Sequence, residues 1–350
     1  MRQSLYHTYQ RYKTLKTHRI AALPIVILMP HSACNCRCVM CDIWKDNKNL
    51  KQLTEADVQD LLVSLKKFGT KQVVMSGGEA LLNANFFSLC KMLKYRGISV
   101  CLLSTGLLLK KYAEDITEWV DEVIVSLDGD EPLHDAIRNL PGAFGKMRDG
   151  IKAIRSIKPA YKITGRSVIH RLNFRAWPLI IQSAKALQLH QISFLPADVS
   201  SQAFNRETPW DVPRQTEIMV SKQELHELNN IIDGILRDFS PDFDSSFVAE
   251  SPAKLRNIHS YYAALHGLNE FPFKKCNAHW VSTVVEADGS VKPCFFHRSM
   301  GNIREHSLHE ILNGPEALKF RRSLDMDKDA ICRQCVCYLN LPPTMNPANV

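Results

Sequence analysis

The sequence predicts an α/β chain built on a parallel sheet, open or curled into a partial barrel. Three observations lead there. Between residues 24 and 198, short apolar runs alternate with helical patterns to give about six βα units, and such alternation implies parallel strands joined by right-handed crossovers. Polar and glycine-rich stretches stand just past the apolar runs, at the strand ends where parallel folds carry their chemistry. The composition is globular, with 350 residues of which 45% are hydrophobic and 23% charged, so a sizeable core is available to two domains, or to one large domain with an appendage.

The elements follow in order. Residues 1–23 are basic, and Tyr6, Tyr9 and Tyr12 recur at every third position, which predicts a short amphipathic helix packed on the body. Residues 24–198 hold the alternation. Ile25 to Leu28 is the first strand, and a cysteine-rich loop follows it. Thr54 caps a helix with Asp57 three residues on; Val58, Leu61, Leu62, Leu65 and Phe68 share its inner face, and Gly69 stops it. Val73 to Met75 runs straight into Ser76-Gly77-Gly78-Glu79. A helix over 85–96 ends at Gly97, the strand Ile98 to Leu103 ends at Ser104-Thr105-Gly106, and the strand Val123 to Leu127 enters Ser126-Leu127-Asp128-Gly129. Strands near 161–170 and 191–195 are separated by a helix that begins after Arg175. Residues 199–275 change character: 200–215 is a polar loop with Pro209 and Pro213, while 221–238 and 252–266 read as helices. In residues 276–350 cysteines return.

Several function classes are excluded or weakened at this level. No run approaches about 18 apolar residues, so no spanning helix is expected. The N-terminal segment lacks an apolar signal region, so the expected compartment is the reducing cytoplasm, where the eleven cysteines are better read as metal ligands or catalytic groups than as disulfides. The formal charge of +8 is compatible with an anionic partner such as RNA, but no arginine- and aromatic-rich segment stands out beyond the first 20 residues. Nucleic acid is therefore not the expected partner. No G-x-x-x-x-G-K or G-x-G-x-x-G occurs. Asp325, Asp327 and Asp329 open like a calcium loop, but Ala330 and Val336 stand where glycine and glutamate belong.

The chemistry lies in the cysteines. CNCRCVMC, residues 34 to 41, sets Cys34, Cys38 and Cys41 at CxxxCxxC spacing, with Cys36 between them. A loop of this length can wrap three thiolates around one face of a four-iron cluster and leave one iron open, as a reactive metal site requires. Zinc remains an alternative, because Cys38 and Cys41 alone form half of a zinc loop. A second set comprises Cys276, Cys294, Cys332 and Cys335, with Cys337 nearby. Ser282 to Glu286, Asp288-Gly289 and Val291 read as a hairpin between the first two of these cysteines. With a distant CxxC it can close a four-ligand site, for zinc as readily as for iron. His297 reads as a donor to that site or as a plain surface residue. Cys90 and Cys101 read as small core residues.

The CxxxCxxC after the first strand and the Gly-Gly-Glu ending the second resemble the radical S-adenosylmethionine (SAM) superfamily. The resemblance implies a partial (βα)6 TIM-like barrel over residues 24–198. Cys34, Cys38 and Cys41 would hold a [4Fe-4S] cluster, whose open iron is chelated by the cofactor's methionine group. Gly77, Gly78 and Glu79 would receive its amino group, Ser126 would meet its ribose or methionine part, and Arg166 its carboxylate; Thr105 is a weaker candidate. Two positions depart from the family pattern: Met40 replaces the usual aromatic residue, and Ala80 the usual proline. The second cysteine set resembles the twitch extension, a shortened SPASM domain, which implies one auxiliary [4Fe-4S] cluster on Cys276, Cys294, Cys332 and Cys335, with Cys337 as a possible substitute for Cys335. The implied activity is that of an oxidoreductase-type enzyme. SAM is cleaved reductively to a 5′-deoxyadenosyl radical, which takes hydrogen from a small molecule, while the auxiliary cluster carries electrons; a peptide, or less readily RNA, is the alternative substrate. A reductant such as flavodoxin or ferredoxin is the expected partner, and no membrane is involved. Residues 199–275 are expected to cap the barrel mouth, with Trp210, Tyr261, Tyr262, His259, Glu250 and Arg256 as candidate lining.

Overall fold

The computed structural model describes residues 5–345. Its strands are β1 Ile25–Leu28, β2 Gln72–Met75, β3 Ser99–Ser104, β4 Glu122–Ser126, β5 Ile163–Ile169, β6 Ile192–Pro196, β7 Val284–Val285, β8 Ser290–Lys292 and β9 Gly301–Asn302. They form one sheet in the order β6-β5-β4-β3-β2-β1-β7-β8-β9. The first six are mutually parallel, and β7 joins them in parallel through the pairs Ile27–Val284 and Leu28–Val285. β8 and β9 then extend the sheet antiparallel.

Helices cover the six-stranded part: α1 Leu5–Thr17, α2 Glu55–Phe68, α3 Phe86–Lys94, α4 Ala113–Trp119, α5 Glu131–Arg138, α6 Ala143–Ile157 and α7 Trp177–Ala186. A helical layer follows, with α8 Val212–Ile218, α9 Leu225–Asp238, α10 Ser240–Asp244 and α11 Pro252–Leu265. The C-terminal part adds α12 Ala278–Val281, α13 Leu308–Asn313, α14 Pro315–Ser323 and α15 Ala330–Gln334.

Local rules explain where these elements begin and stop. Thr54 and Asp57 form a reciprocal capping box on α2, and Gly69 ends it at φ +62°, a conformation that glycine adopts without a Cβ clash. The apolar face of α2 (Val58, Leu61, Leu65, Phe68) is buried against strand residues such as Val26, Leu28, Val73 and Met75. That core fixes the sheet from one side and leaves the strand ends to carry polar loops.

Two expectations are corrected. α1 does not pack through its tyrosines: Tyr6, Tyr9 and Tyr12 are exposed, whereas Arg11 and Thr14 on the other face are buried. Polar atoms share in the attachment with Leu15: Arg11 donates to the carbonyls of Leu341 and Pro342, and the Thr14 hydroxyl accepts from the backbone of Ala21 and Ala22. The stretch 200–215 is not loop throughout, since Asp211 caps α8 by accepting from the Arg214 amide, with Pro213 in its first turn.

Candidate active site and auxiliary metal centre

At the C-terminal ends of the strands, two loops approach each other very closely. Ser76 donates its amide to the Leu28 carbonyl (2.8 Å), and Glu79 donates its amide to the Ala33 carbonyl (3.0 Å). Gly77 sits at φ +112°, and a Cβ on Gly78 would lie 2.3 Å from the Ala33 oxygen. The Gly-Gly turn is therefore pressed against the start of the cysteine loop. That loop is pinned elsewhere as well: Asn47 exchanges side-chain hydrogen bonds with the backbone of Cys34, and Val39 donates to the Ile137 carbonyl.

Above this turn lies a chamber of about 210 Å³, lined by Cys34, Cys38, Cys41, Gly77, Gly78, Thr105, Ser126 and Arg166. These residues come from separate loops and strands; the cysteines are grouped by their spacing, and the others are expected beside them through the family resemblance. Glu79 is different. It is fully buried and lies outside the chamber lining. Its carboxylate accepts from the Thr105 amide (2.8 Å), the Thr105 hydroxyl (2.6 Å), the Ser104 hydroxyl and the Leu81 amide. Burial raises its pKa against the pull of these donors. In this arrangement Glu79 ties the turn after β2 to the end of β3, and Thr105 is its main partner.

Sequence reading missed Arg138. It is buried, ion-paired with Asp128, and its Nη1 donates to Cys38 Sγ at 3.4 Å. Burial lifts the thiols of Cys34 and Cys41 to about 12. Cys38 moves the other way, downward, because the Cys36 thiol donates to it and Arg138 adds a cation, which together outweigh burial. The cysteine face thus carries its own counter-charge. The Ser126-Leu127-Asp128-Gly129 stretch gave a partial hint, since Asp128 ends there, but Arg138 is 100 residues from the cysteine it touches.

The rest of the wall was also unforeseen. Val168, Leu195, Pro196, Ala197, Asp198, Phe204 and Val336 are among the chamber's other lining residues. Asp198 is held by a buried ion pair with Arg206 at 2.9 Å. Phe204 and Asn205 adopt left-handed φ values of 62° and 61°, and the Phe204 ring meets Phe295 at 4.9 Å.

None of the six residues proposed as barrel-mouth lining is part of this wall. Trp210 packs behind the cysteine loop, donating to Asp42 (2.6 Å) beneath the Arg206 guanidinium at 3.8 Å. Tyr262 bonds the Ile169 carbonyl and the Ala197 amide, Glu250 accepts from the Phe194 amide, and Arg256 pairs with Asp233 on the surface. His259 lies part-buried on α11. Tyr261 borders a smaller cleft beside Cys335 and Val336. A helical segment is read as lining because it is near the mouth, but its inward side chains are used here to hold strand ends in place.

The second cysteine set also converges. Cys276, Cys294, Cys332, Cys335 and Cys337 line one cavity of about 220 Å³, together with His279 and His297. Burial raises Cys294 to about 11, and raises Cys276, Cys332 and Cys335 as well. Such thiols release their protons when a metal supplies the positive charge. Among the described residues, His279, Cys294 and His297 bring one ligand atom each within 4.8 Å of one another, as do His297, Asp329 and Cys332. Consecutive residues join the two sites: Cys335 borders the auxiliary cavity and Val336 borders the first chamber. Asp329 caps α15 by accepting from the Cys332 amide.

Residues 28–179 match the Radical SAM superfamily, and residues 276–336 match the SPASM iron–sulfur cluster-binding domain. The chain thus carries a radical SAM domain and a C-terminal SPASM domain; it is an enzyme that uses a [4Fe-4S] cluster with S-adenosylmethionine and carries auxiliary iron–sulfur chemistry in its C-terminal part. Among curated relatives, it is 24% identical over 307 residues to the Fe-coproporphyrin III synthase of Methanosarcina barkeri, covering 82% of this chain and 73% of that one. It is 25% identical over 347 residues to a cysteine-type anaerobic sulfatase-maturating enzyme of Clostridium novyi, covering 91% and 86%. The structure of Streptococcus suis SuiB bound to precursor peptide SuiA shares the fold, with a TM-score of 0.64 at 16% identity over 93% of this chain and 72% of that one. Among the described residues no helix is long and apolar enough to cross a membrane.

Proposed function

We propose that this enzyme removes hydrogen from a small molecule with an apolar body, held against the β5–β6 side of the chamber, and that one auxiliary cluster exchanges an electron with that reaction. One observation carries the reading: the chamber runs from the cysteine face to a mainly apolar wall of Val168, Leu195, Pro196, Ala197, Phe204 and Val336. Such a wall suits a compact apolar ligand oriented by a few polar groups.

Cys34, Cys38 and Cys41 would hold the first cluster, and Gly77, Gly78, Ser126 and Arg166 would meet S-adenosylmethionine, with Glu79 fixing the turn beneath them. Bound there, the two groups supply radical hydrogen abstraction. The chain's part is positioning and exclusion. Arg138 balances the thiolate charge at Cys38, Gly78 admits the close backbone approach, and Phe204 and Val336 keep water from the reacting carbon. Cys276, Cys294, Cys332 and Cys335 would hold the auxiliary cluster, with Cys337 in reach as a substitute. A reductant of the flavodoxin or ferredoxin type would supply the electron.

A peptide substrate is the second reading. The sulfatase-maturating relative and the peptide-bound SuiB structure favour it. To separate the two, the reconstituted enzyme is given a low-mass metabolite pool or a peptide pool under reducing, anaerobic conditions, and 5′-deoxyadenosine is measured. Stimulation by the metabolite pool alone is expected; stimulation by the peptide pool alone would replace the first reading with the second.

A further inference from the structure

We propose that His279 and His297 are positioning residues of the auxiliary centre: each directs an imidazole N–H at a cysteine sulfur of its cluster, and together they raise its reduction potential. The proposal rests on the assignment of the auxiliary cluster to the Cys276–Cys294–Cys332–Cys335 cavity.

Each histidine stands three residues after a cysteine of the set, as Cys276-x-x-His279 and Cys294-x-x-His297. The short helix α12 turns His279 inward, and it is 3% exposed with neither ring nitrogen hydrogen-bonded among the described residues. A buried imidazole normally has a partner for its N–H. Here the ring borders the cysteine cavity, and a nitrogen lies within 4.8 Å of both the Cys294 sulfur and a nitrogen of His297. His297 is 8% exposed, and its Nε2 is 3.5 Å from Cys332 Sγ. Asp329 Oδ1 lies 3.8 Å from the same nitrogen, beside the sulfur.

Behind the pair, Phe320 closes the wall: its ring centroid is 5.5 Å from that of His279 and 5.0 Å from that of His297. The two imidazoles are 5.0 Å apart. They are thus clamped between an aromatic ring and the sulfurs of two different cysteines. Five cysteines already line the cavity, more than a four-iron cluster requires, so the imidazoles are not needed as ligands. An N–H directed at a cluster sulfur stabilises the more negative, reduced form, which shifts the potential upward. The direction of electron flow between this centre and the substrate chamber would then depend on two residues outside the cysteine pattern.

The test uses the full-length, anaerobically reconstituted protein with both clusters, in the wild type and in His279→Phe, His297→Phe, His279→Gln and His297→Gln. Electron paramagnetic resonance during a redox titration follows the signal that does not respond to S-adenosylmethionine. The expected result is a lower potential in each phenylalanine variant, partly restored by glutamine, and an exchangeable proton coupled to the wild-type cluster that weakens in the variants. An unchanged potential and coupling with iron retained would overturn the proposal. If a phenylalanine variant loses the auxiliary iron, the wild-type coupling decides: its presence supports the proposal and its absence overturns it. Failure of the cluster assignment looks different, with about four rather than about eight irons per wild-type chain.

Discussion

A methyl group on Gly78 would meet the Ala33 carbonyl oxygen at 2.3 Å and its carbon at 2.7 Å. Backbone cannot move aside as a flexible side chain does, so Gly78→Ala should push the cysteine loop away from β2, at a cost of about 1–3 kcal/mol. The expected outcome is loss of first-cluster iron with auxiliary iron retained, read as iron per chain before and after removing the second cysteine set. Full iron loading with unchanged response to S-adenosylmethionine would show that the close approach does not matter. Arg138 makes a second residue-scale case. Arg138→Leu leaves Asp128 charged and buried without its partner, which should cost about 3–5 kcal/mol, seen as a lower urea midpoint of the iron-free protein. Arg138→Leu/Asp128→Leu should recover part of it, and a midpoint equal to wild type in the single variant would refute the pairing argument. The cysteines were legible in the sequence through their spacing, and the Gly-Gly turn through its resemblance to the family pattern. Arg138, Phe204 and Val336 were not, because each reaches the chamber through a contact made only after folding.

Elements were legible to the degree that they are long and capped. The box at Thr54 and Asp57 and the stop at Gly69 mark both ends of α2 in the sequence itself. The C-terminal helices and β9 carry too few residues for a periodic signal, and β9 has only two. The start of α9 offers a pH prediction. Ser221 and Glu224 form a capping box, and Arg171 and Arg175 reach the same carboxylate. Burial pushes Glu224 up, but the Ser221 hydrogen bonds and the two arginines outweigh it and draw its pKa from 4.5 to about 2. The folded state therefore binds fewer protons than the unfolded state in that window, so this contribution is present above 4.5 and is lost as pH falls toward 2. The wild-type melting temperature should fall more steeply through the window than that of Glu224→Gln. Parallel curves would remove Glu224 from the account.

At the scale of the whole molecule, the return of cysteines at Cys276 marks a change of chemistry, but the sheet does not break there. Ile27 donates to the Thr283 carbonyl at 2.9 Å and Met29 to the Val285 carbonyl at 2.8 Å, so β7 completes the edge of β1. The sequence could not show this, because a two-residue strand pairing across more than 250 positions leaves no local pattern. Other ties run the same way. Arg304 pairs with Asp57 on α2, Asn313 bonds both backbone groups of Ile20, and Arg321 donates to the His18 carbonyl. Without the C-terminal part, β1 would present an unpaired edge, and Ile25 would lose the cover of Trp280, Val281 and Leu341. Exposed apolar strand edges template association between chains. A chain ending at residue 275 should therefore aggregate or elute as large species on size exclusion even when the first three cysteines are intact. Recovery of a monomer with about four irons that still responds to S-adenosylmethionine would show instead that the barrel folds alone and that the edge is closed by other means. The comparison with full-length protein carrying Cys276→Ala/Cys294→Ala/Cys332→Ala/Cys335→Ala isolates the polypeptide's contribution. That variant keeps β7 but loses the four cysteines proposed as auxiliary ligands, so a soluble monomer there, beside an aggregated truncation, would assign the closure of the barrel edge to the strand rather than to the metal.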